Sequence, residues 1–329
     1  MTPLRWGLLS TARINHALIP PLRTSPRNTL TTVASRDAGK AAAYAHEWKI
    51  PRVLDSYEAL LADPETDVLY IPLPNGLHAE WTIKALHAGK HVLCEKPLAI
   101  TLEEVDRIAA AARETGRVVM EAFMYRHHPQ TLKVKELIDG GAVGALRVIK
   151  GSFTFPIASE SNVRLDPELG GGSIWDVGCY PISYARLIAE HEPVEAFGWQ
   201  VTGASSGVDE TFTGQLRFPG GVVAQFDCGF RSPFRSHMEI VGTEGVLVVP
   251  HPFKPEFNEQ IVLTSREGER AIDIPGQMLY LGEVENMADA ILQGDPVRVA
   301  LGDSRGTVAA ILALLRSAHE GKPVPVPGA

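Results

Sequence analysis

Lys96, Asp176 and Tyr180 are the side chains in this 329-residue chain whose types and spacing point most directly to chemistry. In GGGSIWDVGCYPIS, three consecutive glycines precede Ser173, and Asp176 stands four residues before Tyr180. On a helix that spacing puts a carboxylate and a phenol on one face. Pro181 predicts that the regular helix begins only near Tyr180, because a helix interior tolerates proline poorly. In IPLPNGLHAEWTIKALHAGKHVLCEKPLA, Lys96 follows an apolar strand pattern and precedes Pro97. Most lysines are solvated surface charges, and an isolated Asp or Tyr usually caps a helix or fills a core. The place of Lys96 between a buried strand and a proline shifts that balance toward a catalytic group.

These groups need elements to hold them. From residue 1 to about 122 the sequence alternates short apolar runs with helical-period segments, as a parallel sheet with crossover helices requires. Strands are expected at Arg5 to Leu9, Leu30 to Ala34, Val68 to Ile71, His91 to Cys94 and Val118 to Glu121. Helices are expected around Ala17 to Leu22, Ala38 to Trp48, Tyr57 to Ala62, His78 to Ala88 and Leu102 to Thr115, with Gly89 and Gly116 placed as left-handed C-caps. Pro72, Pro74 and Asn75 then follow one strand, and Glu95, Lys96 and Pro97 the next, so both groups lie at the carboxyl edge where open parallel sheets bind ligands. An X-Pro bond at such a junction is a candidate for cis geometry. After FMYRHHPQ the pattern changes to longer alternating strands. Val222, Ala224, Phe226, Cys228 and Phe230 share one face of such a strand, and Gln225, Asp227 and Arg231 the other. Segments 146–156, 194–203 and 238–249 supply further strands, and helical patterns at Leu281 to Gln293 and Ser304 to His319 close the chain.

The stretch WGLLSTARIN occupies the place of a first strand and its glycine-rich turn, yet the G-x-G-x-x-G positions read Ser10, Ala12 and Asn15. Serine and alanine are small enough for a phosphate to come near, and the Ser10 and Thr11 hydroxyls can donate to it. An ordinary strand-helix turn reads the same way. At the end of the second strand, Ser35 followed by Arg36 suits the 2'-phosphate of NADP, whereas an acidic residue there would suit the ribose of NAD. Asp37 becomes that acidic residue if the strand ends later.

Composition narrows the remaining possibilities. At 45% hydrophobic and 21% charged, the chain has the make-up of a soluble globular protein, and its length suggests two domains. A formal net charge of -8 without a block of Lys or Arg leaves little for counterion release, so no nucleic-acid partner is expected. Cys94, Cys179 and Cys228 are far apart and in no C-x-x-C arrangement, which argues against a disulfide framework or zinc site and fits a reducing, cytoplasmic setting. Neither an export leader nor a run near ~18 apolar residues is seen, so no membrane span is expected. Adjacent His127 and His128 cannot share a face, and no metal is expected. Ser10 and Thr11 lack the G-x-S-x-G of a hydrolase elbow.

Taken together, PNGLHAEWTIKALHAGKHVLCEKPLA, EAFMYRHHP and GGGSIWDVGCYPI resemble the glucose-fructose oxidoreductase, inositol dehydrogenase and rhizopine-catabolism family (Gfo/Idh/MocA) over essentially the full chain. WGLLSTARI and a tyrosine at position 180 look most like the branch of dimeric dihydrodiol dehydrogenase and NADP-dependent D-xylose 1-dehydrogenase. Thr101 departs from the pattern, standing where many members carry asparagine. The resemblance implies an α/β Rossmann domain over 1–122, then an α+β domain with a large, mostly antiparallel open sheet over 123–329, whose last helices can pack back on the first, and a nicotinamide site between the two. It implies cofactor contacts from Ser10, Thr11, Ala12, Arg13, Ile14, Ser35, Arg36, Pro72, Leu73, Asn75, His78, Glu95, Lys96, Pro97 and Arg126. NADP is expected rather than NAD, in a homo-oligomer, dimer or tetramer, acting on an aldose at C1 or a cyclic trans-diol.

Alcohol oxidation removes a hydride from carbon and a proton from oxygen. Tyr180, with an ordinary pKa near ~10, needs a cation to act as a base at neutral pH, and Lys96 is the candidate for it. Asp176 would orient Lys96 or bind a second substrate hydroxyl, and Phe153, Phe155 and Trp175 are candidate pocket walls. The rival readings are an NAD-dependent inositol-type or amino-sugar dehydrogenase and a non-catalytic nucleotide-sensing regulator. Having Lys96, Asp176 and Tyr180 together favours an enzyme.

Overall fold

Short apolar runs in the first third of the chain form six parallel strands: β1 (Leu4–Leu9), β2 (Asn28–Ala34), β3 (Arg52–Leu54), β4 (Val68–Ile71), β5 (His91–Glu95) and β6 (Val119–Ala122). They alternate with α1 (Asn15–Thr24), α2 (Ala38–Glu47), α3 (Tyr57–Ala62), α4 (His78–His87) and α5 (Leu102–Thr115). In the computed structural model, which describes residues 2–328, the strands lie in the order β3-β2-β1-β4-β5-β6. That is the order of doubly wound dinucleotide-binding sheets, which bind ligands beyond the strand carboxyl ends where the order reverses, here at β1 and β4. β4 reads VLYI and is buried throughout, as a strand covered on both faces must be. The strand β3 was not expected, since its three residues include none that is buried and are too few to display a period.

Polar residues set the helix ends. Thr101 starts α5 with a capping box: its hydroxyl accepts from the Glu104 amide at 3.2 Å, and the Glu104 carboxylate accepts from the Thr101 amide at 3.1 Å. Gly116, at φ 65°, ends the same helix, and Gly89, at φ 79°, follows α4. The chain forms two compact units, of which this first runs to His127 and takes in Tyr280–Ser304. Within it, the Arg27 guanidinium binds the carboxylates of Glu285 and Asp289 on the helix Leu281–Leu292.

The second unit comprises His128–Leu279 and the residues from Arg305 on. Its elements are α6 (Pro129–Asp139), β7 (Leu146–Thr154), α7 (Cys179–Ala189), β8 (Glu195–Thr202), β9 (Asp209–Arg217), β10 (Val223–Gly229), β11 (Arg235–Gly242), β12 (Gly245–Val249), β13 (Glu259–Ser265), β14 (Gly268–Ile274) and β15 (Val324–Pro325). They build a nine-stranded sheet ordered β14-β13-β12-β11-β7-β10-β9-β8-β15, antiparallel except where β7 runs parallel to β10. Sequence patterning missed α6, because Gln130 and Thr131 are two of its few buried residues and blur the apolar stripe. It also missed the β13-β14 hairpin, because β14 buries only Ile274 and shows no alternation.

Alternation sorts the two faces of the sheet. Ile149, Phe153, Ala224, Phe226 and Cys228 are buried. Lys150, Gln225, Asp227, Arg235 and Glu239 line a hollow of ≈ 400 Å³ on the open side, which also carries Trp199, 62% exposed. Cys94, Cys179 and Cys228 are buried free thiols. Among the described residues, no helix is long and apolar enough to cross a membrane.

Candidate functional site

β1 delivers Ser10 to the carboxyl edge of the first sheet at φ 129°, a backbone conformation that costs a non-glycine residue of order 1–3 kcal/mol. Two side chains of the same turn hold it there. Ser10 Oγ accepts from the Ala12 amide at 3.2 Å, and the buried Asn15 side-chain amide donates to the Ser10 carbonyl at 2.9 Å. The amides of Thr11, Arg13 and Ile14 make no hydrogen bond to another described residue. Unused amides at a helix start, with only alanine at position 12, fit a pyrophosphate.

At the end of β2, Ser35 is buried and its Oγ accepts from the Asp37 amide at 3.2 Å. The Asp37 carboxylate caps α2, accepting from the Lys40 amide at 3.0 Å. Arg36 is exposed and reaches Tyr57: burial raises the Tyr57 phenol pKa, while the charge of Arg36 and its hydrogen bond act the other way. The Asp37 carboxylate is therefore engaged at a helix cap.

The loops after β4 and β5 are braced from beneath by His78. Its ring is fully buried, with Nδ1 2.7 Å from the Pro97 carbonyl and Nε2 2.7 Å from the Leu73 carbonyl. Burial holds the imidazole below its ordinary pKa against the pull of those carbonyls. His78 thus stands between the two loops with each ring nitrogen facing a carbonyl, and in its neutral form donates its single N–H to one of them. The Lys96-Pro97 bond is cis. Beside it, Tyr70 donates to Glu95 at 2.5 Å, and burial raises the pKa of Tyr70, Tyr280 and Glu283 well above the ordinary values, with Glu95 adding to each. Arg126 is 6% exposed and pairs with Asp303 at 2.8 Å. Burial, with Arg298 and Arg126 adding, pushes the neighbouring His127 down to about 3. Among the described residues, no three His, Cys, Asp or Glu side chains gather as a metal would require.

In the second unit the three glycines make one turn possible. Gly171 passes so close to the Arg164 and Asp166 carbonyls that a Cβ would lie 2.6 and 2.7 Å from them. Gly172 adopts φ 122°, and a Cβ there would meet Asp209 Oδ1 at 2.4 Å. The Asp209 carboxylate accepts from Ser173 Oγ at 2.6 Å and from the Ile174 amide at 2.8 Å, fixing the start of the π turn Ile174–Gly178 that runs straight into α7. Pro181, which cannot donate to the turn before it, stands three residues past Gly178, the end of the π turn, whose wider ring makes room at that point. The regular helix begins at Cys179, next to the expected Tyr180.

This turn buries Asp176 and Tyr180, at 7% and 4% exposure. Asp176 Oδ2 accepts from Arg164 Nε at 2.7 Å. Tyr180 meets Phe153 edge-on at 5.1 Å and Phe253 at 5.4 Å, and those two rings stack at 5.2 Å. Such pairs each contribute about 0.5–1.5 kcal/mol beyond area burial, so they hold the phenol ring firmly. Phe155 packs against Phe230 at 5.5 Å and under the Arg164 guanidinium, while Trp175 is buried. Arg164, Asp209 and Phe253 escaped sequence reasoning. The one signal available was an acid opening the alternating strand DETFTGQLR.

Burial pushes the Asp209 carboxyl up to about 6, against the hydrogen bonds from Ser173 and Ile174. A carboxyl whose folded pKa exceeds its unfolded value binds protons more tightly when folded, so its contribution is most favourable in acid and declines as pH rises from about 4 to about 6. Relative to Asp209→Asn, the parent should lose up to about 3 kcal/mol across that window, read as the difference in urea unfolding free energies. A flat difference would mean that burial leaves the Asp209 pKa unshifted, and one that grows with pH that its ionised form is favoured in the fold.

Residues 4–123 match the family described as "Oxidoreductase family, NAD-binding Rossmann fold", and residues 131–248 match "GFO/IDH/MocA C-terminal domain". The chain is 35% identical over 324 residues to the D-xylose 1-dehydrogenase (NADP(+)) 2 of Haloferax volcanii, covering 98% of this chain and 99% of that one. It is 34% identical over 249 residues to the trans-1,2-dihydrobenzene-1,2-diol dehydrogenase of Danio rerio, covering 75% and 74%. Among solved structures it is similar to KijD10, a 3-ketoreductase from Actinomadura kijaniata in complex with NADP and TDP-benzene, at a TM-score of 0.90 and 30% identity over 96% of this chain and 98% of that one. With both domains matched and the similarity running along nearly its whole length, the chain belongs to the Gfo/Idh/MocA family of NAD-binding oxidoreductases.

Proposed function

We propose that this protein transfers a hydride between the nicotinamide of NADP and a hydroxyl-bearing carbon of a small sugar, an aldose at C1, or of a cyclic trans-diol. The observation that carries this reading is the pairing of Asp176 and Tyr180 on one buried turn against Phe153, in a chain that also offers Lys96 at the carboxyl edge of a dinucleotide-binding sheet. The NADP named for the Haloferax dehydrogenase and for KijD10 supports the cofactor. Ser10, Thr11, Ala12, Arg13 and Ile14 would hold the pyrophosphate, and Ser35 with Arg36 the 2'-phosphate. Pro72, Leu73, Asn75, Glu95, Pro97 and Arg126 would complete the cradle, with His78 bracing its loops.

When bound, the nicotinamide supplies the hydride acceptor or donor. The chain supplies the proton chemistry. Tyr180 Oη receives the proton of the reacting hydroxyl, and the Lys96 ammonium stabilises the phenolate and hydrogen-bonds the substrate oxygen. Asp176 orients Lys96 or holds a second hydroxyl. In reverse, Tyr180 returns the proton to a carbonyl oxygen, the direction named for KijD10, a 3-ketoreductase. The open face of the nine-stranded sheet, with Trp199 62% and Val201 64% exposed, is the surface on which a second copy would pack.

A screen of aldoses and cyclic trans-diols with NADP and with NAD, followed by nicotinamide absorbance, tests the activity; binding of NADP without turnover of any of them would favour a nucleotide-sensing protein. Lys96→Ala and Tyr180→Phe should each lower turnover at least ~10²-fold while cofactor binding persists. Near-normal turnover in both removes the proposed roles. NADP should be preferred over NAD by about one to two powers of ten, the equivalent of one charge-assisted hydrogen bond of roughly 1.5–3 kcal/mol. Arg36→Ala should erase most of that margin and Ser35→Asp reverse it. A parent that prefers NAD would assign the ribose to Asp37. Trp199→Asp should convert an oligomer to monomer in sedimentation; an unchanged mass would place the interface elsewhere.

A further inference from the structure

We infer that Arg164 is a positioning residue for the reaction, fixing Asp176 beside Tyr180 and acting through that carboxylate rather than on the substrate. The inference rests on the reading that Asp176 and Tyr180 serve one substrate. Arg164 lies in a short turn, Val163–Leu165, opened by Asn162, whose side chain accepts from the Arg164 amide at 3.1 Å. The Gly172 amide donates to the Arg164 carbonyl at 2.9 Å, and the Asp176 amide donates to the Gly172 carbonyl at 3.1 Å. The Arg164 Nε bond to Asp176 Oδ2, at 2.7 Å, then closes a ring from main chain to side chain. Only a residue without Cβ at position 171 lets the two strands of this ring come together, since a Cβ would lie 2.6 Å from the Arg164 carbonyl.

The two partners are unequally placed. The Arg164 side chain is 43% exposed and the Asp176 side chain 10%. An ion pair at the surface contributes little, but a carboxylate so far removed from water depends on each charge-assisted bond it accepts. Arg164 also lies over the Phe155 ring, its guanidinium carbon 5.9 Å from the centroid, which limits the directions from which it can reach Asp176. Half-exposed, it is open to small solutes. A guanidinium supplied in solution can therefore take its place.

A double-mutant cycle tests this, with Arg164→Ala, Asp176→Asn and the double variant assayed on D-xylose, or on whichever aldose or diol of the screen above the parent turns over faster. Arg164→Ala should lower kcat/KM by about 10- to 100-fold with NADP affinity unchanged. Added to Asp176→Asn, it should cost less than about 3-fold more, because the charge-assisted part of the interaction is already gone. Ethylguanidinium should restore part of the activity of Arg164→Ala and none in the double variant. If Arg164→Ala does not fold, Arg164→Lys, which keeps the cation but loses the planar fork, should show the same non-additivity with Asp176→Asn. Effects that multiply independently, or rescue equal in both backgrounds, overturn the inference. An impaired Asp176→Asn beside an unimpaired Arg164→Ala overturns the inference alone; an unimpaired Asp176→Asn, or a parent that turns over none of the compounds, overturns the reading beneath it as well.

Discussion

Asp209 stands at the head of β9 with its carboxylate almost wholly out of water, and the hydrogen bonds it accepts, those from Ser173 Oγ and the Ile174 amide among them, determine where the π turn begins. Asp176 and Tyr180 are placed by counting from that point. Shifting the start of the turn by one residue would rotate Asp176 and Tyr180 away from Arg164 and from the Phe153-Phe253 stack together. A buried charge is an expensive way to fix a register. Its advantage is directional: apolar packing tolerates sliding, whereas a carboxylate held by specific donors does not.

The first unit meets a similar demand by different means. Its nucleotide turn lacks the glycines that usually relieve backbone strain, so Ser10 takes the strained conformation itself and Asn15, inside the first turn of α1, ties down the Ser10 carbonyl. His78 does the equivalent for the loops after β4 and β5, standing between carbonyls of the two loops and donating its one N–H to one of them. In each case a polar side chain supplies a bond that regular secondary structure cannot. Such bonds are stronger away from water, and these three anchors, Asp209, Asn15 and His78, are all buried.

The departures from family pattern also find physical places. Thr101, the departure noted in the sequence, is an N-cap with its capping box complete. Asp37, a competitor for the ribose on sequence grounds, is committed to the start of α2. Both assignments follow from where helices begin, which period alone fixes only to within a residue or two.

By itself the sequence determined the alternation of strands and helices in the first unit, the carboxyl-edge placement of Pro72, Asn75, Glu95 and Lys96, and the nearness of Asp176 to Tyr180, because each is a matter of local period and spacing. It lost α6 and β14, whose buried faces are too small or too polar to leave a period. Only the tertiary structure decided that Ser10 bears the strain of the turn, that His78 faces carbonyls, and that Arg164, Asp209 and Phe253 surround the Asp176-Tyr180 turn. Those choices depend on which distant backbone a side chain meets once the chain has closed. A hydrogen bond between residues 173 and 209, or a ring contact between 180 and 253, leaves no trace in the spacing of either segment.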